Sequence, residues 1–127
     1  MIIGIGVDLC EVSRLRELEE RYGDRFLRRV FTETELKRCS GRRHHECLAG
    51  RFAAKEAALK ALGTGLSHGI AWRDVELTRG EYQAPTIAFH RRAREIFERL
   101  GASRVVVSVS HDGGMAMATV ILEGEGR

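Results

Sequence analysis

The sequence predicts an α+β domain that combines helices with antiparallel strands. Three features support this fold class: an apolar, strand-like start, an alanine-rich helical centre, and a glycine-centred hairpin near the end. The predicted order is strand, helices, strands, helix and strands, with no internal repeat. We expect residues 1–127 to form a single domain, because 127 residues with 43% hydrophobic content can bury one core.

The first predicted strand, residues 2–9, is apolar almost throughout, as expected of a strand covered on both faces. Alternation puts Gly4, Gly6 and Asp8 on the same face of this strand. A helix is predicted to follow over residues 9–22, with an apolar stripe of Leu9, Val12, Leu15, Leu18 and Tyr22. The glycine and aspartate that come next are predicted to end it.

The middle of the chain predicts three more helices. Two short ones are expected around residues 25–30 and 32–39, followed by a polar, basic loop at 40–45. The strongest helix prediction covers residues 46–62, which are rich in alanine. Gly63 follows in the position that favours a left-handed helix cap.

The last third of the chain predicts strands around one more helix. Short strands are expected at 74–78 and 86–89, on either side of a turn at Gly80. A helix is marked by apolar residues and stopped by Gly101; its markers are Ala93, Ile96, Phe97 and Leu100. Residues 105–110 and 115–122 flank an Asp-Gly-Gly segment, which predicts a terminal hairpin.

Composition limits the function classes. The net charge of +3 and sequence pI near 9.0 fit an acidic or phosphate-bearing partner. We expect a cytoplasmic protein, because the first residues lack a basic leader and the apolar runs are strand-sized, too short for a membrane span. An odd number of cysteines without a Cys-x-x-Cys motif predicts reduced thiols at Cys10, Cys39 and Cys47.

Asp8 is the first candidate functional residue. An acid ends the apolar strand here, on a face whose preceding side chains are glycine hydrogens, which leaves room for a bulky group to approach. A structural alternative remains open, because Asp8 and Glu11 also fit a capping box at the start of the next helix.

Glu56 is the second candidate. Helical spacing puts it in one stripe with Leu48, Phe52 and Leu59, and buried acids are rare unless they are paired or bind a metal. An ion pair with Lys60, four residues on, is the structural alternative. If the carboxylates of Asp8 and Glu56 meet, they suit Mg²⁺, a hard ion that takes oxygen ligands.

Other motifs are weaker. The Gly63-Thr64-Gly65 segment could bring backbone N–H groups to a phosphate, or it could simply cap the helix. His111, at an exposed strand end, could contact a phosphate or be only solvated. Rossmann and P-loop motifs are not matched. A grouped set of potential zinc ligands matches none of the usual spacings, so zinc is not expected there: Cys39, His44, His45 and Cys47.

Basic residues predict a docking surface. Arginines recur along residues 14–29, and residues 37–51 are also mainly basic, so both could face a phosphate-rich or acidic partner. The few aromatic residues argue against a nucleic-acid platform, and we expect no nucleic-acid partner. The two alternatives to an enzyme are a basic nucleic-acid module and a non-catalytic adaptor that binds through residues 14–29.

Four segments together resemble the holo-[acyl-carrier-protein] synthase family of 4'-phosphopantetheinyl transferases. They are residues 4–8 (GIGVD), Arg14, residues 48–65 (LAGRFAAKEAALKALGTG) and residues 108–112 (SVSHD). The resemblance implies an enzyme that moves phosphopantetheine from coenzyme A to a serine of apo acyl carrier protein and releases adenosine 3',5'-bisphosphate, in fatty acid synthesis. It also implies the family's mixed helix and antiparallel-sheet fold, assembled as a homotrimer with active sites between subunits.

The resemblance also implies roles for individual residues. Asp8 and Glu56 become Mg²⁺ ligands, and Lys60 neutralises charge on the phosphate under attack. The remaining expected contacts to coenzyme A are Arg43, Arg51, Gly63, Thr64, Gly65 and His111, and those to the carrier protein are Arg14, Arg25 and Phe26. One departure is that many relatives have a tyrosine soon after the histidine, where this chain has Gly113-Gly114-Met115-Ala116.

Overall fold

The computed structural model describes residues 1–79 and 84–127, and its fold is α+β, as predicted. The elements in chain order are β1 (Ile2–Glu11), α1 (Val12–Tyr22), α2 (Asp24–Val30), α3 (Glu33–Arg38), α4 (His44–Leu62), a 3₁₀ helix (Trp72–Asp74), β2 (Val75–Arg79), β3 (Pro85–Phe89), α5 (Arg91–Arg99), β4 (Ala102–Asp112) and β5 (Met115–Gly124). The turn predicted at Gly80 lies outside the described residues. Within the described ranges, no helix is long and apolar enough to cross a membrane.

Two antiparallel sheets form the strand layer. The larger has the order β1-β5-β4, and β2 pairs with β3 in the smaller. The predicted terminal hairpin is confirmed: β4 and β5 are joined by Gly113 and Gly114, both with positive φ angles that glycine adopts without strain. In the larger sheet Val7 pairs with Thr119, which pairs in turn with Ser108.

Helix α4 packs across one face of the larger sheet. Its small residues are fully buried there: Ala49, Ala53, Ala54, Ala57 and Ala58. The glycines of β1 permit this close approach, because a Cβ at Gly4 would lie 2.2 Å from the Ala61 carbonyl oxygen and one at Gly6 would lie 1.9 Å from that of Ala57. The open space predicted beside Gly4 and Gly6 is therefore filled by α4.

The prediction that β1 is covered on both faces is wrong for the face opposite α4. Ile5, Val7 and Leu9 are 62%, 52% and 58% exposed, respectively. The apolar run reflects burial on one side and an open apolar surface on the other, because within residues 1–79 and 84–127 α4 covers only the glycine side.

The start of α1 also differs from the prediction. The strand continues through Glu11, which pairs with Met115, and the helix begins at Val12 instead of residue 9. Glu11 is the N-cap residue and makes no side-chain cap hydrogen bond. The capping box proposed for Asp8 and Glu11 is therefore wrong, because Asp8 lies inside the strand.

The remaining helices follow the predictions closely. Helices α2 and α3 lie where two short helices were expected, and α4 begins two residues earlier than expected, at His44. Gly63 adopts the predicted left-handed conformation, with φ of 82°. Gly101 also has a positive φ after α5.

A buried ion pair joins α3 to α4, and sequence reasoning missed it. Lys55 Nζ lies 2.8 Å from Glu35 Oε1, and both side chains are 0% exposed. Lys55 also donates to the carbonyl of Val75. Glu35 accepts 2.9 Å hydrogen bonds from the backbone N–H groups of Thr32 and Leu77. Burial lowers the pKa of Lys55, and Glu35 opposes that shift.

The cysteines correct another prediction. Cys39 and Cys47 form a disulfide with a Cα–Cα distance of 5.3 Å, and Cys10 is a free, buried thiol. The fold brings the end of α3 to the first turns of α4, which an odd cysteine count could not reveal. The cytoplasmic prediction therefore loses the support that reduced cysteines were expected to give it.

Candidate active site

The two candidate acids meet between β1 and α4. Asp8 lies on the face of β1 that contacts the helix, and Glu56 lies on the last half of α4. The pKa of Glu56 is raised, first by burial and then by the charge of the neighbouring Asp8 carboxylate. Two carboxyl groups in contact repel each other when both are ionised, so their pair attracts a cation.

Lys60 is the cation beside this pair. Its Nζ lies 2.8 Å from Asp8 Oδ1 and donates to the Val7 carbonyl at 3.2 Å. The hydrogen bond to Asp8, and then its charge, raise the pKa of Lys60. The ion pair expected as an alternative, between Glu56 and Lys60, is replaced in the structure by one between Asp8 and Lys60, and the ammonium group stays exposed.

Arg14 extends the cluster toward α1. Its guanidinium lies 5.4 Å from the centre of the Phe52 ring, and it partly opposes the raised pKa of Glu56. The Cys10 thiol lies nearby, and burial raises its pKa to about 11. That thiol is therefore neutral near pH 7 and is not a nucleophile there. One predicted carrier contact, Arg14, thus lies beside the carboxylate pair.

A second group of predicted site residues surrounds the start of α4. Arg43 and His111 line a cleft of about 770 Å³ that reaches the Gly113-Gly114 turn. A neighbouring cavity of about 400 Å³ is lined by Arg43, Arg51 and His111. His111 Nε2 lies 2.8 Å from the Glu46 carbonyl oxygen. In the part of the chain that the structure describes, Glu46 is the one acid that lines the smaller cavity, which therefore suits anions, whereas Glu11 and Asp112 also line the larger cleft.

Arg51 is the most buried member of this group. Its Nη1 donates to Cys47 Sγ at 3.1 Å, while its buried Nε has no hydrogen-bond partner among the described residues. Burial lowers the pKa of Arg51, and Glu35 opposes this shift. A guanidinium held in this way is available to an incoming acceptor.

The Gly63-Thr64-Gly65 segment closes α4. The three backbone N–H groups lie 3.1, 3.2 and 3.3 Å from the Leu59 carbonyl oxygen, so in this structure they serve the helix cap. Thr64 also lines a separate cavity of about 440 Å³, together with basic side chains that include His68, Arg92 and Arg99.

The predicted carrier contacts beyond Arg14 lie on α2. Arg25 is exposed, whereas Phe26 is half-buried and packs edge-to-face on Phe31 with 6.4 Å between ring centres. The single chain thus brings Asp8, Glu56 and Lys60 together. Neither acid lines the cleft of about 770 Å³ or the cavity of about 400 Å³, so neither cavity joins these basic residues to the carboxylate pair.

A family model described as the 4'-phosphopantetheinyl transferase superfamily matches residues 4–120 of this sequence. The chain belongs to the 4'-phosphopantetheinyl transferase superfamily. Membership confirms that it is an enzyme and confirms the resemblance drawn from residues 4–8, Arg14, 48–65 and 108–112.

Individual superfamily members are similar over nearly their whole length. The holo-[acyl-carrier-protein] synthase of Koribacter versatilis is 45% identical over 124 residues, which cover 97% of this chain and 99% of the relative. The crystal structure of the Neisseria meningitidis holo-[acyl-carrier-protein] synthase superposes with a TM-score of 0.87 at 33% identity, covering 97% and 99% of the two chains.

A third similar protein was solved with a ligand. The Helicobacter pylori holo-[acyl-carrier-protein] synthase, in complex with coenzyme A, has a TM-score of 0.82 at 28% identity and covers 94% of this chain and 99% of its own. The predicted mixed helix and antiparallel-sheet fold of the superfamily is thereby confirmed.

Proposed function

We propose that this enzyme transfers the 4'-phosphopantetheine group of coenzyme A to a serine of apo acyl carrier protein and releases adenosine 3',5'-bisphosphate, with Mg²⁺ as cofactor. Superfamily membership and the names of the relatives support the reaction, and the coenzyme A complex of one relative supports the donor. The observation that carries the proposal is the neighbouring carboxyl groups of Asp8 and Glu56 beside Lys60.

The carboxylate pair fits Mg²⁺. The ion takes oxygen ligands and is commonly held by one or two carboxylates together with substrate phosphates. The raised pKa of Glu56 reflects two acids that share a small space, an arrangement that a divalent cation relieves. When bound between Asp8 and Glu56, Mg²⁺ would supply positive charge against the pyrophosphate of coenzyme A.

Two side chains, Glu56 and Lys60, are assigned to the transfer of the serine proton and to the stabilisation of the leaving group. The serine oxygen attacks the phosphorus that carries the pantetheine arm, and the bond from that phosphorus to the bridging oxygen breaks. The Glu56 carboxylate is the candidate acceptor of the serine proton, because a carboxylate placed beside the attacking hydroxyl can act as a general base. Lys60 stabilises negative charge on the departing bisphosphate.

The basic group at the start of α4 is proposed to bind the phosphates of coenzyme A. Arg43, Arg51 and His111 line adjoining cavities, and Arg51 has a buried nitrogen without a partner in the described chain. We assign the Gly63 to Gly65 segment to the same ligand. Since neither cavity joins this group to the carboxylate pair in one chain, we infer that a neighbouring subunit supplies one of them.

A homotrimer is the assembly that we propose. The face of the β1-β5-β4 sheet opposite α4 carries an apolar surface. Each of its large apolar side chains is more than a third exposed: Ile5, Val7, Leu9, Val106 and Met117. Exposed apolar patches of this kind mark interaction sites. A second copy covering this sheet face would bury side chains that are otherwise in water.

Replacing Val7 with Glu is expected to dissociate the trimer, because a charge would have to be buried in an apolar interface. Wild-type protein should have three times the chain mass by light scattering, and the V7E variant should shift to monomer and lose transfer activity. Tyr22→Glu, at an apolar residue exposed elsewhere, is the matched control and should stay trimeric. A monomeric wild-type protein with full activity would refute the proposed assembly.

We propose that the acidic carrier protein docks on Arg14, Arg25 and Phe26. Two exposed arginines beside a partly exposed aromatic ring suit an acidic helix surface, and Arg14 already lies next to the carboxylate pair.

We also propose that residues 1–127 form one domain that carries the activity, which the family match over residues 4–120 supports. We propose the cytoplasm as the place where the enzyme acts.

Intact-mass spectrometry tests the proposed reaction. Apo acyl carrier protein, coenzyme A, Mg²⁺ and this enzyme should yield a carrier heavier by one phosphopantetheine group. Carrier alone and enzyme without coenzyme A are the controls. An unchanged carrier mass, with the enzyme shown to be folded and to bind the carrier, would instead support a non-catalytic adaptor.

A further inference from the structure

Three polar side chains join α1 to the start of α4, away from the carboxylate pair. Glu19 Oε1 lies 2.8 Å from His44 Nε2 and 2.8 Å from His45 Nε2. One potential ligand atom from each residue lies within 4.8 Å of the others. The side chains are 29%, 25% and 27% exposed, so the cluster is partly shielded but open to solvent on one side.

The hydrogen bonds of His44 define where its protons are. Its Nδ1 lies 2.9 Å from the Cys39 carbonyl oxygen, which can only accept, so Nδ1 carries a hydrogen. Its Nε2 and that of His45 both face the same oxygen, Glu19 Oε1. Two imidazole nitrogens and a carboxylate oxygen therefore converge on one small space, where a metal ion could replace the protons that they now share.

This set of donor atoms suits Zn²⁺. Open zinc sites use three protein ligands of the imidazole and carboxylate type and leave a fourth position for water. Zinc-bound histidines commonly donate their other ring nitrogen to a carbonyl, as His44 does to Cys39. We propose that Glu19, His44 and His45 form a Zn²⁺ site, with both Nε2 atoms and the Glu19 carboxylate as ligands.

The side chains have to adjust to build this site. Tetrahedral zinc with bonds of about 2.0–2.1 Å keeps its ligand atoms roughly 3.3 Å apart, so the Glu19 oxygen has to retreat by about 0.5 Å from each imidazole. The ligand nitrogens of the two histidines, which lie within 4.8 Å of each other, have to reach the same separation. The disulfide removes Cys39 and Cys47 from the set of available ligands. The site is chemically distinct from the Asp8 and Glu56 pair, because imidazole nitrogen favours zinc and hard carboxylate oxygen favours magnesium.

The site would fasten α1 to the N-terminus of α4. Arg43 is the N-cap residue of α4, directly before both histidines, and it lines the largest cleft. Zinc would therefore hold the segment that carries a proposed phosphate contact. The sequence showed both histidines as potential zinc ligands, but it could not show the third ligand, because Glu19 is 25 residues from His44.

Zinc titration of untagged protein tests the site. With Mg²⁺ in millimolar excess to fill the carboxylate pair, calorimetry should show one Zn²⁺ per chain. The midpoint of thermal unfolding should rise by on the order of 5–10 °C at a free zinc concentration of about 100 times Kd. His44→Asn keeps a donor for the Cys39 carbonyl but removes Nε2, so it should weaken zinc at least about tenfold, as should Glu19→Gln and His45→Asn.

Two controls make the result decisive. His68→Asn removes an imidazole from an exposed loop, and the paired replacement of Cys39 and Cys47 by Ser removes the sulfur atoms; both proteins should bind zinc as the wild type does. Zinc binding that is absent, unaffected by the Glu19 and His44 variants, or lost with the cysteines would overturn the proposal. If a variant fails to fold, NMR of wild-type protein decides instead, since zinc must shift the Nε2 signals of His44 and His45.

Discussion

Glu56→Gln is expected to lower phosphopantetheine transfer by on the order of 100- to 1,000-fold or more, the loss typical when one preorganised charge-stabilising group is removed. The amide has nearly the same shape as the carboxylate, but it carries no charge to hold a divalent cation and cannot accept the serine proton. The measurement is the initial rate of carrier modification at saturating coenzyme A and Mg²⁺.

The stability of this variant separates a catalytic role from a structural one. Burial and the neighbouring Asp8 raise the pKa of Glu56, so the folded state disfavours its charge, and a neutral amide should leave the unfolding midpoint unchanged or higher. Glu98→Gln, in an exposed ion pair on α5, is the matched control and should keep full activity. Full activity in Glu56→Gln would remove this residue from the proposed metal site.

Lys55→Met is expected to lower the free energy of unfolding by about 3–5 kcal/mol, the cost of breaking a buried pair by removing one partner. The Glu35 carboxylate would remain fully buried and lose the ammonium group now 2.8 Å from it. Urea denaturation at pH 7, followed by circular dichroism, gives this difference directly.

A double-mutant cycle isolates the pair. Combining Lys55→Met with Glu35→Gln should recover part of the lost stability, because both charges leave the core together and the amide oxygen can still accept one of the two backbone N–H groups. Arg94→Met breaks the exposed pair with Glu98 and should cost less than about 1 kcal/mol. A loss below about 1 kcal/mol for Lys55→Met would show that the buried pair contributes little.

Local patterns explain why most elements could be predicted from the sequence. The alanine-rich run has a strong helical preference, and Gly63 after it gives an unambiguous helix end. The Asp112-Gly113-Gly114 segment marks the turn of the terminal hairpin between β4 and β5. Glu56 was recognised because an acid in an apolar helical stripe needs a partner. That partner, Asp8, is its neighbour in the structure.

Features that depend on distant contacts could not be predicted. Nothing in the sequence marked Lys55 as buried, because the next residue, Glu56, was the evident anomaly in that helix. Glu35 has the ordinary position of the glutamate in a Thr32-x-x-Glu35 capping box, which it also forms, so its ion pair with Lys55 could not be foreseen. The apolar strand β1 was expected to be buried on both faces, because a sequence cannot distinguish burial within a chain from an apolar surface left open. The disulfide depends on how α3 and α4 meet.

The site shows the same limit. The resemblance pointed to Arg43, Arg51 and His111 as coenzyme A contacts in active sites between subunits, and in one chain they line cavities that do not include the carboxylate pair. No spacing rule reveals whether residues share a site within a subunit or across an interface. The proposed trimer reconciles the two groups, since a neighbouring copy can bring one beside the other.

The most direct test of the account is whether transfer by the wild-type enzyme depends on a divalent cation and yields both products. Apo carrier and coenzyme A are incubated with enzyme stripped by a chelator, and Mg²⁺ is then restored. We predict no reaction before restoration and, after it, one adenosine 3',5'-bisphosphate formed for each carrier that gains a phosphopantetheine group. Equal transfer without divalent cation, or a carrier that stays unmodified after Mg²⁺ is restored, would contradict the account.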